Sequence, residues 1–233
     1  MKKKIIGVVA HGIFDSPDVK VLDHCKFNAN YSKQIELAGG VPLGLLPVDG
    51  YIPEQALALC DGFLICGGTA SWPYQLQTAC YAITHHKPLM GICLGCQTIH
   101  RAFNLLDEME RTGEQTDVWS LFCRLRDAGD PRVVLGRVEG HFHPFVKGKF
   151  YEIRHTVYLT PGSRVAALMG TDRLEGCTSH NYCAQQVSPR LTVSGRTEDG
   201  TVEVLEYEDW VLGTQFHPEL EGRLPQLFGW LCK

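Results

Sequence analysis

A chain of 233 residues, 44% hydrophobic and 21% charged, carries enough apolar material for one sizeable core and reads as a single α/β domain over residues 1–233. Its formal net charge of −4 leaves no footprint for nucleic acid or an anionic membrane surface. No apolar run approaches the roughly 18–20 residues that span a bilayer, and the ten cysteines lack the regular spacing of a disulfide scaffold, which points to reduced thiols and a cytoplasmic setting.

The start, Met1-Lys2-Lys3-Lys4 followed by Ile5 to Ala10, mimics a signal peptide. His11 breaks the apolar part after six residues, so a first β-strand is the better reading. Apolar runs at 4–10, 41–46, 62–66 and 88–93 then alternate with helical stretches at about 28–39, 53–60 and 74–86. That alternation predicts a mostly parallel central sheet covered by helices on both faces, an α/β fold. Beyond residue 105 the pattern changes. Residues 106–132 read as charged and irregular, and short strand-like runs follow at 133–138, 152–159, 191–196 and 201–207. Thr197-Glu198-Asp199-Gly200 is a hairpin signal through its Asp-Gly pair. A buried strand over 210–216 and a helix from about 222 to 231 close the chain, so the C-terminal half adds short strands to the sheet.

The densest chemical signal is Gly91-Ile92-Cys93-Leu94-Gly95, where a short apolar run breaks into a helical pattern. Gly-x-nucleophile-x-Gly between a strand and a helix is the nucleophile elbow, here with Cys in place of Ser. The flanking glycines are needed because a Cβ at either position would clash where the backbone turns, and the nucleophile itself sits at strained φ/ψ. At a helix N-terminus the unpaired N–H groups and the dipole favour thiolate, and the N–H of Leu94 can face an oxyanion. The base is sought far downstream. His217 follows the strand 210–216, where catalytic groups of α/β sheets collect, and Glu219 two residues on can orient its imidazole.

Two competing patterns weigh less. Cys93-Leu94-Gly95-Cys96 is also a C-x-x-C, but the elbow accounts for Cys93 without redox chemistry, leaving Cys96 as a small core-facing residue. His141-Phe142-His143 alternates like a strand, with His155 near in sequence. A metal site needs further ligands and a supporting carboxylate, and none is evident from spacing, so no metal and no cofactor are assigned.

Gly-Ile-Cys-Leu-Gly-x-Gln, the Gly67-Gly68 pair after the strand 62–66, and His217-Pro218-Glu219 together resemble the class I glutamine amidotransferase superfamily. Ile5-Ile6-Gly7-Val8, Tyr31 with Glu36 to Leu43, and His155 to Ser163 resemble its γ-glutamyl hydrolase branch, which includes γ-glutamyl-γ-aminobutyrate hydrolases. The resemblance implies a flavodoxin-like fold, a catalytic set of Cys93, His217 and Glu219, and an oxyanion hole from the N–H groups of Gly68 and Leu94. It further implies substrate contacts from Gly67, Gln97, Ser179, His180 and Asn181, the last three in a loop that holds the α-amino and α-carboxylate groups of a glutamyl moiety. Thr69 to Tyr74 lacks the acidic residue of that branch, and Trp72-Pro73-Tyr74 suggests an apolar wall beside the leaving group.

The resulting expectation is hydrolysis of a small γ-glutamyl amide through a Cys93 thioester. A glutaminase subunit supplying ammonia to a synthase partner is the alternative, and a binding or regulatory module with a vestigial site is a third reading. The partner is then a small γ-glutamyl molecule, with no nucleic acid and no membrane. A homodimer stays open, as does a synthase partner if the chain is an amidotransferase.

Overall fold

Apolar runs of four or five residues cannot be covered from one side only, and the chain solves this by feeding them all into one sheet. The computed structural model describes residues 2–14, 23–142, 154–220 and 224–233. Its first half alternates β1 (Ile5–Val9), β2 (His11–Phe14), β3 (Asp23–Lys26), α1 (Ala29–Leu37), β4 (Val41–Leu45), α2 (Glu54–Ala58), β5 (Gly62–Ile65), α3 (Pro73–Thr84) and β6 (Leu89–Ile92). After the long α4 (Leu94–Thr112) come α5 (Val118–Asp127), β7 (Gly136–Arg137), β8 (Arg154–Leu159), α6 (Arg164–Met169) and β9 (Arg173–Cys177). Then follow β10 (Tyr182–Cys183), β11 (Thr192–Arg196), β12 (Val202–Tyr207), β13 (Val211–Thr214), a 3₁₀ turn at Pro218–Leu220 and α7 (Pro225–Leu231).

Nine strands form one sheet in the order β4-β1-β5-β6-β13-β12-β11-β8-β9. The first five pair in parallel, and β12, β11, β8 and β9 continue antiparallel. This is the α/β architecture expected, with the later strands extending the parallel part. Side chains of alternate strand residues divide the core in two. Phe63, Ile65, Leu89 and Val211 meet α3 and α4 through Ala79, Ile99 and Phe103 on one face. Leu64, Met90, Ile92 and Leu212 meet α1 and α7 through Ile35, Leu227 and Phe228 on the other. No helix among the described residues is long and apolar enough to cross a membrane.

Three expectations are corrected. Residues 106–132 are not irregular: α4 continues to Thr112, stops at Gly113 with φ 69°, and α5 follows. The Asp117 side chain caps α5 by accepting from Ser120 N at 2.9 Å. Leu121 and Phe122 bury themselves with Leu76, Leu105 and Val133. Arg124, Arg126 and Asp127 on the outer face obscure that stripe in the sequence. The run 133–138 is mostly a turn, because the N–H groups of Val133 and Val134 both go to Asp130 O, and only Gly136–Arg137 pairs with β10. His141 and Phe142 lie outside any strand, and His143 lies outside the described residues.

Candidate active site

Adjacent parallel strands bring the three sequence motifs together. β5, β6 and β13 are neighbours, and their C-terminal ends deliver Gly67-Gly68, Cys93 and His217 to one crevice. The backbone of Cys93 is pinned there, its N–H donating to Thr214 O at 2.7 Å, while the His217 N–H donates to Cys177 O at 2.8 Å.

Cys93 adopts φ 54°, ψ −107° immediately before α4, a conformation L-residues rarely adopt. The glycines beside it are there for space. A Cβ on Gly91 would overlap the Gly95 carbonyl, and one on Gly95 would overlap the carbonyl oxygen of Ile65 on β5. The elbow therefore packs α4 directly on the sheet and sets the thiol at the helix N-terminus, where the first N–H groups have no partner within the helix. Cys96, one turn into α4, is buried with its sulfur against Gly213, a packing role.

His217 is held from one side and available on the other. Its Nδ1 pairs with Glu219 Oε1 at 2.8 Å, while Nε2 has no hydrogen-bond partner. Burial alone would lower the imidazole pKa, but the negative charges of Glu219 and then Cys93 push it well above the ordinary value. A Cβ on Gly67 would meet His217 Cε1 at 3.1 Å and Cys93 Cβ at 3.4 Å, so ring and thiol flank one point under this glycine. A carboxylate, an imidazole and a thiol in that arrangement are the orienter, base and nucleophile of covalent catalysis.

The remaining predicted residues divide. Leu94 begins α4 and lines the same cavity as Gly68 and Cys93. Ser179, Asn181 and Gln97 also line it. Gln97 is committed elsewhere: its Nε2 donates to Tyr182 O at 2.9 Å and Gln215 Oε1 at 3.1 Å, tying α4 to the loop before β10. The Gly67 N–H goes to the Tyr31 hydroxyl at 3.0 Å, so this donor is already used within the protein. His180 also lines the cavity. Its ring is buried and its Nε2 meets Glu203 Oε1 at 3.2 Å, so that nitrogen is committed away from substrate.

The cavity measures about 570 Å³, in the range of small-molecule sites. Its apolar wall is Trp119, Phe122 and Phe142, not Trp72, whose indole packs over Gly12. Arg101 adds a buried cation, donating Nε to Val133 O at 2.9 Å and stacking 5.2 Å from the Phe122 ring centre. Burial lowers its pKa to about 10. None of Arg101, Trp119 and Phe122 stands out in the sequence, whereas Tyr31 belongs to the segment that carries the resemblance. The Asp-capped amphipathic pattern after Gly113 carries the only local signal for Trp119 and Phe122.

A family model described as Peptidase C26 matches residues 73–219, from the first residue of α3 to Glu219, and so includes Cys93, His217 and Glu219. The chain belongs to the Peptidase C26 family, within the class I glutamine amidotransferase superfamily. As a Peptidase C26 member it is 30% identical over 226 residues to the CTP synthase of Chlamydia trachomatis serovar L2, covering 88% of this chain and 37% of that protein. The CTP synthase of Roseobacter denitrificans is 29% identical over 174 residues, covering 64% of this chain and 30% of the relative. The chain thus spans about a third of the length of these curated relatives. Its fold is shared with the Trypanosoma brucei CTPS glutaminase domain with bound acivicin, at TM-score 0.64 and 17% identity over 98% of this chain and 92% of that one. A glutamine amidotransferase from Thermotoga maritima gives TM-score 0.59 at 15% identity over 94% of this chain and 77% of that one. The amidotransferase-type fold and family stand. These curated relatives are CTP synthases, and they do not confirm the γ-glutamyl hydrolase branch.

Proposed function

We propose that this chain is a cysteine-dependent glutaminase-type enzyme that cleaves the side-chain amide of glutamine. The observation that carries the reading is the Glu219–His217 pair beside Cys93 at the elbow. The Cys93 thiolate attacks the amide carbon, and the oxyanion forms toward the N–H groups of Leu94 and Gly68. The imidazolium of His217 gives its proton to the departing ammonia, then as a base takes one from the water that hydrolyses the thioester. Glu219 keeps Nε2 directed at the reacting atoms and balances the charge on the ring. Similarity to CTP synthases supports a synthase that receives the ammonia as partner. The intact triad speaks against a vestigial binding module.

A hydrolase acting on substituted γ-glutamyl amides is the second reading, supported by the wall of Trp119, Phe122 and Phe142, which ammonia alone does not require. Glutamate release from glutamine and from γ-glutamyl anilide separates the two. The glutaminase reading expects glutamine to be the better substrate, or turnover to rise when a synthase is added. A fast reaction of the chain alone that prefers the anilide transfers the assignment to the hydrolase. Acivicin is expected to protect Cys93 from iodoacetamide, and unprotected labelling at saturating acivicin counts against a glutamine site.

A further inference from the structure

A second centre lies on the other side of β13 and takes no part in the chemistry above. Three imidazoles surround one carboxylate. His141 Nδ1 is 3.5 Å from Glu203 Oε1, His155 Nε2 is 3.3 Å from Glu203 Oε2, and His180 Nε2 is 3.2 Å from Glu203 Oε1. Glu203 is completely buried, and His141 and His180 nearly so. One ligand atom from each of the four residues fits within 4.8 Å of all the others.

His180 Nε2 to Glu203 Oε1 is at most a long hydrogen bond, and the other two approaches are longer than a good one. Charge-assisted N–H···O bonds run about 2.7–2.9 Å. Ligands on a tetrahedral Zn²⁺ with bonds of about 2.0–2.1 Å stand about 3.3–3.4 Å apart. In keeping with that, His141 Nδ1, both nitrogens of His155 and Glu203 Oε2 are buried with no hydrogen-bond partner. His141 Nδ1, His155 Nε2 and Glu203 Oε2 come together there, and leaving buried polar atoms unpaired is expensive unless something joins them. His141 also carries the outer support that a metal-bound imidazole needs. Its Nε2 pairs with Asp199 Oδ2 at 2.9 Å, which directs Nδ1 inward, and Asp199 is itself fixed by Thr197 Oγ1 at 2.6 Å and Thr201 N at 3.0 Å.

We propose that His141, His155, His180 and Glu203 form a closed four-ligand site for Zn²⁺. Four protein ligands leave no open position for water, so the ion is structural rather than catalytic. It ties three pieces of chain to β12: the segment at His141, strand β8 at His155 and the loop carrying His180. The same loop is already stitched to His141, whose carbonyl accepts from Thr178 Oγ1 at 2.9 Å and from the His180 N–H at 3.0 Å. Ser179 and Asn181 of that loop line the active-site cavity, so the ion holds one wall of the cavity in place.

The test is metal analysis of the purified full chain. About one zinc per chain is expected after gel filtration in metal-free buffer, or after loading with Zn²⁺, and Co²⁺ in its place should give the visible bands of a tetrahedral ion. His155→Ala, at the least buried ligand, should lose the metal, as should Glu203→Gln. Cys93→Ala should keep it. Chelation should lower the Tm of the wild type and leave that of folded His155→Ala unchanged. Less than about 0.1 zinc per chain after loading, with no Co²⁺ bands, overturns the site. Metal retained in folded His155→Ala but lost in Cys93→Ala also overturns it, because the ion is then on the nucleophile.

Discussion

Two imidazole–carboxylate centres sit on neighbouring strands, and they use the same groups in opposite ways. After β13, one carboxylate holds one ring: Glu219 meets His217 at 2.8 Å and leaves the far nitrogen free beside Cys93. On β12, one carboxylate faces three rings at 3.2 to 3.5 Å. The two are joined through backbone, the Gln215 N–H donating to Glu203 O at 2.8 Å. A single short bond fixes a tautomer and a direction, which proton transfer needs. Three longer approaches to one acceptor leave a gap of the size of an ion. Ring count and distance, rather than residue type, separate a centre that moves protons from one that holds a structure together.

The sharpest break between the centres is expected from Cys93→Ala. It should lower kcat at least about 10⁴-fold, with an unchanged circular dichroism spectrum. Turnover that persists in this variant ends the thioester mechanism. Glu219→Gln should lower kcat by about 10- to 10⁴-fold with little change in KM, since its part is orientation and charge. A large KM increase at intact kcat would place Glu219 in substrate binding instead.

Glu203→Gln should act on stability. Breaking a buried charged set costs about 3–5 kcal/mol, readable in urea unfolding. Equal losses for Glu203→Gln and Glu219→Gln would erase the contrast between the two centres.

A pH series sharpens the triad side. His217 has a folded pKa above its unfolded value of about 6.5. Its contribution to stability is therefore complete below about pH 6.5 and disappears as pH rises through the folded pKa. The Tm difference between wild type and Glu219→Gln should be larger at pH 6 than at pH 9. A constant difference would show that Glu219 does not support the charged ring.

The smallest effect concerns the elbow itself. Because φ at Cys93 is 54°, Cys93→Gly should be more stable than Cys93→Ala by about 1 kcal/mol. Equal Tm values would mean that the turn stores no strain there.

Local patterns carry what depends on a few consecutive residues. Gly91-x-Cys93-x-Gly95 announces its turn because only glycine fits against the Gly95 and Ile65 carbonyls. The alternation of apolar runs and helices up to Cys93 announces a parallel sheet because each strand must be covered on both faces. The hairpin at Asp199-Gly200 is legible for the same reason: Gly200 takes φ 86°. Charged surface residues hid α5, so the apolar wall was expected at Trp72 when the fold builds it from Trp119 and Phe122.

Sequence by itself determined the class of fold, the nucleophile elbow and the identity of Cys93, His217 and Glu219 as candidate partners, since strand ends and turns are set by nearest neighbours. Tertiary structure alone decided that Gly67 spends its N–H on Tyr31 and that His180 commits its Nε2 to Glu203. It alone brought Glu203 to His141, His155 and His180, because β12 lies next to β13 only once antiparallel strands have been added to the parallel sheet. Residues 62 positions apart meet there by strand pairing, and no spacing in the chain encodes that encounter.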